Sequence, residues 1–201
     1  MKQSKKRRAR ARQRRIATVT ALIVLVAAAL ALILVIAFNR APIVTVRRYP
    51  MTYEDTIRQY ASDNEIPPAY VASVILAESD FDPQAVSNAN AQGLMQLLPD
   101  TADWIARKFD ETYVEGCLFD PDTNIRYGCW YLGFLMRRYG GDMRLSSSAY
   151  HAGQGTVDKW LQNPEYAPDG VSLSVIPYSS TDTYVQRVLR YYEKYQELYA
   201  K

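Results

Sequence analysis

The stretch "AYVASVILAESDFDPQAV", residues 69–86, is small and apolar at most positions and carries one glutamate near its centre. Val71, Val74 and Ile75 recur at helical spacing, which predicts a helix that buries this face. Glu78 falls on the same stripe, four residues after Val74 and three after Ile75. Burying a carboxyl group costs free energy unless the group is paired or hydrogen-bonded. The pattern therefore predicts either a glutamate held by a backbone amide or an arginine, or a functional acid.

Other kinds of site chemistry find little support in the sequence. His151 is the only histidine, and the eleven residues between Cys117 and Cys129 do not match a zinc pattern. Neither a G-x-S-x-G serine elbow nor a Walker-type phosphate loop occurs. We predict no metal and no cofactor, which leaves acid–base chemistry by carboxylates. Desolvation on a buried face raises the pKa of Glu78 towards neutrality, as a general acid requires.

The N-terminal part has the composition of a membrane anchor. Residues 1–15 carry nine Lys or Arg and no acid, and residues 16–38 carry no charge. At about 1.5 Å per helical residue, the 23 uncharged residues reach roughly 34 Å, enough to cross a bilayer core of about 30 Å. The basic flank predicts a cytoplasmic tail at 1–15, a single transmembrane anchor at 16–38 and an extracytoplasmic remainder. A cleaved signal peptide is the alternative, although its apolar region usually has only about 7–15 residues.

The formal net charge of +3 is the sum of two parts with opposite charge. The basic tail contributes +9, whereas residues 39–201 hold 15 basic and 21 acidic residues. A basic chain would ordinarily favour nucleic-acid binding. Because the positive charge here belongs to the membrane flank, we predict no nucleic-acid partner.

The remaining chain predicts one helical domain. Residues 39–50 contain two prolines and no helical stripe, which indicates a stalk before a domain at 51–201. Helices are predicted at 52–64 with Thr52 as N-cap, from 69 until Pro83 interrupts, and at about 93–109, 121–139, 143–152, 155–162 and 181–200. The two cysteines lie in this exported part, so either a disulfide or two small buried thiols fits the sequence.

Several short motifs follow one another in a recognisable order. They are "ES" at 78–79 with "FDPQAVS" at 81–87, "GLMQ" at 93–96, "DPDTNIRYGCWYL" at 120–132, "AYHAG" at 149–153 and "TDTYV" at 181–185. In this order they resemble the lysozyme-like, membrane-associated lytic transglycosylases of the soluble-lytic-transglycosylase (SLT) type. The resemblance covers roughly residues 53–192. It implies a compact, mostly helical domain of the all-α class, within the α+β lysozyme-like superfamily.

The resemblance also implies roles for six residues. Glu78 would be the sole catalytic acid and base. Ser87 would lie near the N-acetyl group of the substrate, Met95 would sit in the site wall, and Gln96 would bind the sugar or hold the site together. Tyr150 would reach the catalytic region through its hydroxyl, and Tyr184 would support the catalytic region. Met95 and Tyr184 could also be ordinary core residues, and Ser87 an ordinary turn residue.

The activity implied by the resemblance is cleavage of peptidoglycan glycan strands between N-acetylmuramic acid and N-acetylglucosamine, leaving 1,6-anhydro ends. One alternative is a hydrolytic muramidase, which would generally need a second carboxylate, with Asp100 and Asp103 as open candidates. Another is a non-catalytic glycan-binding scaffold in a complex of cell-envelope proteins whose other members the sequence does not identify.

Three positions depart from the family pattern. His151 stands where Asn is usual. In the groove it would add a pH-dependent charge, and the alternative is a ring that faces solvent or bonds a backbone carbonyl. Asn90 replaces a loop glycine, and Ser180 replaces a glutamate that often precedes the threonine. The last change would weaken a second polar anchor in the site.

Overall fold

The computed structural model describes residues 18–35 and 48–199, and the chain divides between Arg48 and Tyr49 into two compact units. In the first unit, helix α1 (Thr18–Val35) has a mean hydropathy of 2.9 and is long and apolar enough to cross a membrane. The predicted basic tail, both ends of the predicted anchor and most of the predicted stalk lie outside the described residues.

The second unit is built from helices, which confirms the predicted fold class. Its elements are α2 (Glu54–Asp63), α3 (Pro68–Ser79), α4 (Pro99–Lys108), a short 3₁₀ helix (Cys117–Phe119), α5 (Pro121–Arg138), α6 (Met143–Ala152), α7 (Gln154–Leu161) and α8 (Ser179–Tyr199). Within residues 48–199, β-pairing is limited to two isolated antiparallel bridges, which join Gln92 to Val86 and to Leu97.

Helix α3 lies at the centre of this unit. Every residue from Tyr70 to Leu76 is buried, so the helix packs on all sides rather than along one stripe. Helices α2 and α8 contact it directly. Pro68 starts the helix, where a missing backbone N–H is harmless, and two left-handed residues, Asp80 and Phe81, end it. Glu78 therefore occupies the last turn of the most buried helix.

Two local predictions are wrong. Thr52 is not a helix cap, because α2 begins at Glu54 after Tyr53, whose left-handed backbone (φ 63°) provides no side-chain cap. The predicted helix at 93–109 forms only from Pro99, because residues 91–98 make a tight loop in which Gln96 is also left-handed, with φ 48°.

Asn124 of α5 explains why that loop replaces a helical turn. Its buried side-chain oxygen accepts from the Met95 backbone N–H at 2.8 Å. Its amide nitrogen donates to the backbone oxygens of Gln92 at 2.9 Å and Leu118 at 2.8 Å. These bonds satisfy backbone groups that an α-helix would have paired locally, and they fix the loop against α5.

The last two residues of the predicted stalk contact the helical domain. Tyr49 and Pro50, which the sequence places in the stalk, contact the domain: their carbonyl oxygens accept from the hydroxyls of Tyr199 and Tyr195 at 2.8 and 2.7 Å. Both cysteines are free thiols; one is partly exposed and the other is buried.

Candidate active site

A groove of about 450 Å³ opens beside the end of α3. Its lining comes from α3, the loop that follows it, the start of α4, α5 and the end of α6. The polar side chains among the lining residues are Glu78, Ser87, Gln96, Thr101, Tyr131, Tyr150 and His151. Four of the six residues predicted for the site, Glu78, Ser87, Gln96 and Tyr150, therefore meet in one groove.

Glu78 is the acid of this groove. Burial raises its pKa from the ordinary 4.5 to about 7, while the Tyr184 hydroxyl and the Arg187 cation oppose the rise. Its place in the last turn of α3, at the negative end of the helix dipole, acts in the same direction as burial. Glu78 is therefore protonated in mildly acidic solution and can act both as a proton donor and, once ionised, as a base.

Hydrogen bonds hold the loop after α3 against the end of that helix. The Ser79 hydroxyl donates to the Leu94 backbone oxygen at 2.8 Å. The Ser87 hydroxyl accepts from the Ala91 backbone N–H at 3.0 Å. Gln96 donates its side-chain amide to two backbone oxygens of the same loop, at 3.0 and 2.9 Å. Since both amide hydrogens are used, the Gln96 side-chain oxygen is the polar atom left for a ligand.

Tyr150 connects the groove to the loop from the opposite side. Its hydroxyl donates to the Met95 backbone oxygen at 2.7 Å, and its ring lies 5.4 Å from the ring of Tyr131. The Met95 side chain itself is fully buried behind the groove, where it packs against Gly128. Met95 thus contributes through its backbone, since its side chain is not part of the groove lining.

Tyr184 of α8 also lies behind the groove. Its side chain is 2% exposed, and its ring centroid is 4.6 Å from that of His151. Its hydroxyl lies close enough to the Glu78 carboxyl to influence its pKa, yet makes no hydrogen bond of acceptable geometry with any described residue.

His151 and Ser180, the two residues that depart from the family pattern near the site motifs, lie in different places. His151 lines the groove, and its Nδ1 lies 3.1 Å from the Thr181 hydroxyl. Burial, and then the Arg187 cation, lower the pKa of His151, so the ring is neutral at pH 7 and does not bring the predicted charge. Ser180 is exposed in the first turn of α8 and is not among the lining residues.

Glu78 is the one carboxylate that lines the groove within the described part of the chain. Asp103 instead forms an ion pair with Arg107 at 2.9 Å, and Asp100 is exposed in the first turn of α4. Neither candidate for a second acid is thus part of the groove wall.

Sequence reasoning missed three residues around the site: Tyr131, Thr181 and Arg187. Tyr131 lines the groove but belongs to the apolar run of α5, which reads as core. Thr181 contacts His151, and Arg187 acts on both Glu78 and His151 from α8. A hydroxyl or a cation on a long amphipathic helix ordinarily indicates a solvated face. Tyr131 and Thr181 fall within the quoted motifs, which assigned them no role, and no local signal places Arg187 towards the site.

The raised pKa predicts a stability effect at Glu78. Between about pH 4.5 and 7 the folded state keeps a proton that the unfolded chain has lost, so stability falls as pH rises. Glu78→Gln removes this titration, and at pH 8 we expect the variant to be more stable than the natural chain by about 3 kcal/mol.

Denaturant unfolding of both chains at pH 4 and pH 8, followed by tryptophan fluorescence, measures this difference. The advantage of the variant should disappear at pH 4, where the glutamate is neutral in both states. An equal difference at the two pH values would contradict a raised pKa.

The helical domain, and its groove in which Glu78 is the single carboxyl among residues 48–199, define a lysozyme-like protein. The chain belongs to the family described as Transglycosylase SLT domain, which matches residues 55–170. It is 38% identical over 147 residues to the soluble lytic murein transglycosylase of Escherichia coli, covering 72% of this chain and 23% of that protein. It is 33% identical over 165 residues to membrane-bound lytic murein transglycosylase C of Actinobacillus pleuropneumoniae, covering 71% of this chain and 45% of the relative.

Solved structures give the same result. An inactive mutant of lytic transglycosylase Slt from Pseudomonas aeruginosa superposes with a TM-score of 0.69 at 34% identity, covering 77% of this chain and 26% of that one. The 70 kDa soluble lytic transglycosylase of Escherichia coli gives 0.68 at 34% identity, covering 76% and 25%. The chain thus spans about a quarter of the length of the soluble relatives and under half of the membrane-bound one.

Proposed function

We propose that this protein is a lytic transglycosylase that cleaves the β-1,4 bond between N-acetylmuramic acid and N-acetylglucosamine in peptidoglycan. The observation that carries the proposal is the groove with Glu78, of pKa about 7, as its one carboxylate among the described residues. Family membership and relatives named as murein transglycosylases support the substrate class.

The proposed reaction uses Glu78 twice. Its proton passes to the glycosidic oxygen as the bond from that oxygen to the anomeric carbon of N-acetylmuramic acid breaks. The acetamido oxygen of the same sugar stabilises the anomeric carbon. The Glu78 carboxylate then takes the proton of the 6-hydroxyl of the same N-acetylmuramic acid, while the 6-oxygen bonds to the anomeric carbon. A 1,6-anhydro ring forms, Glu78 is protonated again, and no water is consumed.

Other groove residues would orient the strand. The free side-chain oxygen of Gln96 and the Ser87 hydroxyl face the same groove as Glu78 and can bind sugar hydroxyl or amide groups. The neutral imidazole of His151 adds a polar contact without charge. Tyr131 and Tyr150 give the groove an aromatic wall.

We also propose where the reaction takes place. The uncharged segment 16–38, of which α1 is the described part, would hold the protein in the cell membrane. The basic residues at 1–15 favour a cytoplasmic N-terminus, which places the helical domain on the outer side, where peptidoglycan lies.

The mass of the products tests the proposed reaction. The full chain in detergent is incubated with purified peptidoglycan, and the soluble muropeptides are weighed. We expect products one water lighter than those released in parallel by a hydrolytic muramidase. Products with reducing ends would indicate hydrolysis, and binding without products would favour a glycan-binding scaffold.

A further inference from the structure

A strip of partly exposed aromatic rings extends from the groove along α4 and α5. We call it the aromatic strip, and it consists of Trp104 on α4 and of Trp130, Tyr131 and Phe134 on α5. The centroid of the Trp104 ring lies 5.2, 6.1 and 5.4 Å from the centroids of the other three rings, in that order. All four rings are partly exposed, although their inner sides pack on the hydrophobic core. Contiguous apolar surface of this kind is a mark of binding sites.

The aromatic strip is continuous with the groove on both helices. Tyr131 belongs to both, since it lines the groove and its ring lies 5.4 Å from the ring of Tyr150. On α4, Thr101 lines the groove, and Trp104 follows three residues later on the same side of the helix. Lys108 comes four residues after Trp104, and at about 1.5 Å per residue this face of α4 is about 10 Å long from Thr101 to Lys108. The strip therefore continues the groove wall by more than the width of one sugar ring.

The two indole N–H groups of the aromatic strip are available to a ligand. A buried tryptophan ordinarily donates its N–H to a partner. Neither Trp104 nor Trp130 donates to any described residue, and neither nitrogen is among the buried polar atoms that lack a partner. Both N–H groups therefore reach the surface, where a hydroxyl or acetamido oxygen of a sugar can accept from them.

Lys108 lies over one face of Trp104. Its amino nitrogen is 5.7 Å from the centroid of the Trp104 ring, and the lysine itself is exposed. Within residues 48–199 Lys108 forms no ion pair, whereas its neighbour Arg107 is paired with Asp103 at 2.9 Å. A long exposed side chain is easily displaced by a ligand, and its free charge suits a strand whose stem peptides carry carboxylates.

We propose that the aromatic strip is a distal subsite, which binds sugar rings of the glycan strand beyond the groove. This inference rests on the proposed function and deepens it, because it states how far along the strand the protein holds its substrate. Trp104 offers a ring face to the apolar face of a sugar, and the indole N–H groups donate to the polar groups of that sugar. The strand is already held in the groove, so a second contact on the same polymer adds affinity at little further cost in entropy.

The contact between α4 and α5 does not by itself explain the two tryptophans. A buried core that includes Ala102, Ile105 and Ala106 of α4 and Tyr127 of α5 already joins these helices. Trp104 and the other rings of the strip lie at the solvent edge of this core, where a helix contact gains least from a large ring. Partly exposed tryptophan and tyrosine rings are the residues that contribute most to binding a ligand.

The test measures binding of short and long oligomers of N-acetylglucosamine to the full chain in detergent. These oligomers lack N-acetylmuramic acid, so the proposed reaction does not cut them. The first readout is the indole N–H signals of the three tryptophans in NMR of ¹⁵N-labelled protein, of which Trp160 lines neither the groove nor the strip. The second is the dissociation constant of each oligomer, measured by titration calorimetry.

Trp104→Leu and Phe134→Leu each remove a flat ring and keep an apolar side chain on the core. Tyr178→Leu is the matched control, because Tyr178 is an exposed aromatic residue that packs on Trp160, outside the groove lining. We expect Trp104→Leu to weaken binding of the long oligomer about tenfold and to leave binding of the short one unchanged. Phe134→Leu should have the same effect to a smaller extent, and Tyr178→Leu should change neither affinity.

In the natural chain, the indole signals of Trp104 and Trp130 should move with the long oligomer while that of Trp160 stays in place. Unmoved signals, or equal affinity of Trp104→Leu and the natural chain for the long oligomer, would overturn the inference. Signals that move with protein concentration instead would make the strip a contact between copies, and would overturn it too. Because oligomer binding involves no cleavage, a strip that binds sugars without release of 1,6-anhydro products would refute the proposed function alone. Product release with unmoved indole signals would refute the distal subsite alone.

Discussion

Glu78→Gln is expected to lower the rate of 1,6-anhydro product release by about 10²–10⁴-fold, the range that a positioned general acid–base group supplies. The amide keeps the shape of the side chain and can still donate a hydrogen bond. It cannot give a proton to the glycosidic oxygen, and it cannot take one from the 6-hydroxyl. Both half-reactions use this group, and no other carboxylate lines the described part of the groove.

The matched control is Asp80→Asn. Asp80 lies two residues further on, is exposed and ends α3 in a left-handed conformation that asparagine also tolerates. We expect this variant to keep the natural rate. Product release should be measured for both at pH 6, where Glu78 is mostly protonated. If Glu78→Gln kept more than a tenth of the rate, another group would have to be the acid.

The helices of this protein were predictable because their signal is local. The start of the helix containing Glu78, and both ends of those near 121–139, 143–152 and 181–200, follow from apolar spacing and proline or turn boundaries, and the structure reproduces them within about two residues. The loop at 91–98 was not predictable in this way. Asn124, about thirty residues away, hydrogen-bonds to the backbone of this loop. The loop therefore forms although the composition of the segment favours a helix.

The grouping of the candidate site residues was predictable only with the ordered motifs. The carboxyl on a buried helical stripe left two interpretations of Glu78 open, and the motifs favoured the functional one and added Ser87, Gln96 and Tyr150, which line the same groove. Met95 lies behind the groove and contributes a backbone oxygen, which side-chain chemistry cannot reveal. Arg187 was missed because only the packing of α8 against α3 turns this residue from solvent towards the acid.

Gly93→Ala is expected to destabilise the domain by about 4 kcal/mol, a large part of the 5–15 kcal/mol that holds typical domains folded. Gly93 has φ +74°, a conformation that costs other residues about 1–2 kcal/mol. A Cβ atom there would also lie 2.1 Å from the Leu118 backbone oxygen and 2.3 Å from the Asn124 side-chain nitrogen. Overpacking of this kind adds about 1–3 kcal/mol, and a backbone oxygen cannot move aside cheaply.

Gly116→Ala separates the two causes. Gly116 has a similar φ of +84°, but an added Cβ would meet nothing within 4 Å, so only the backbone cost of about 1–2 kcal/mol applies. All three tryptophans lie in the helical domain, so their fluorescence during denaturant unfolding of the full chain reports this unit alone. Equal losses for the two variants would mean that the contact of Gly93 with Asn124 is not tight. A larger loss for Gly93→Ala, together with weaker catalysis in the folded fraction, would tie the groove to this contact, because Asn124 holds the backbone of Met95 from which Tyr150 takes its position.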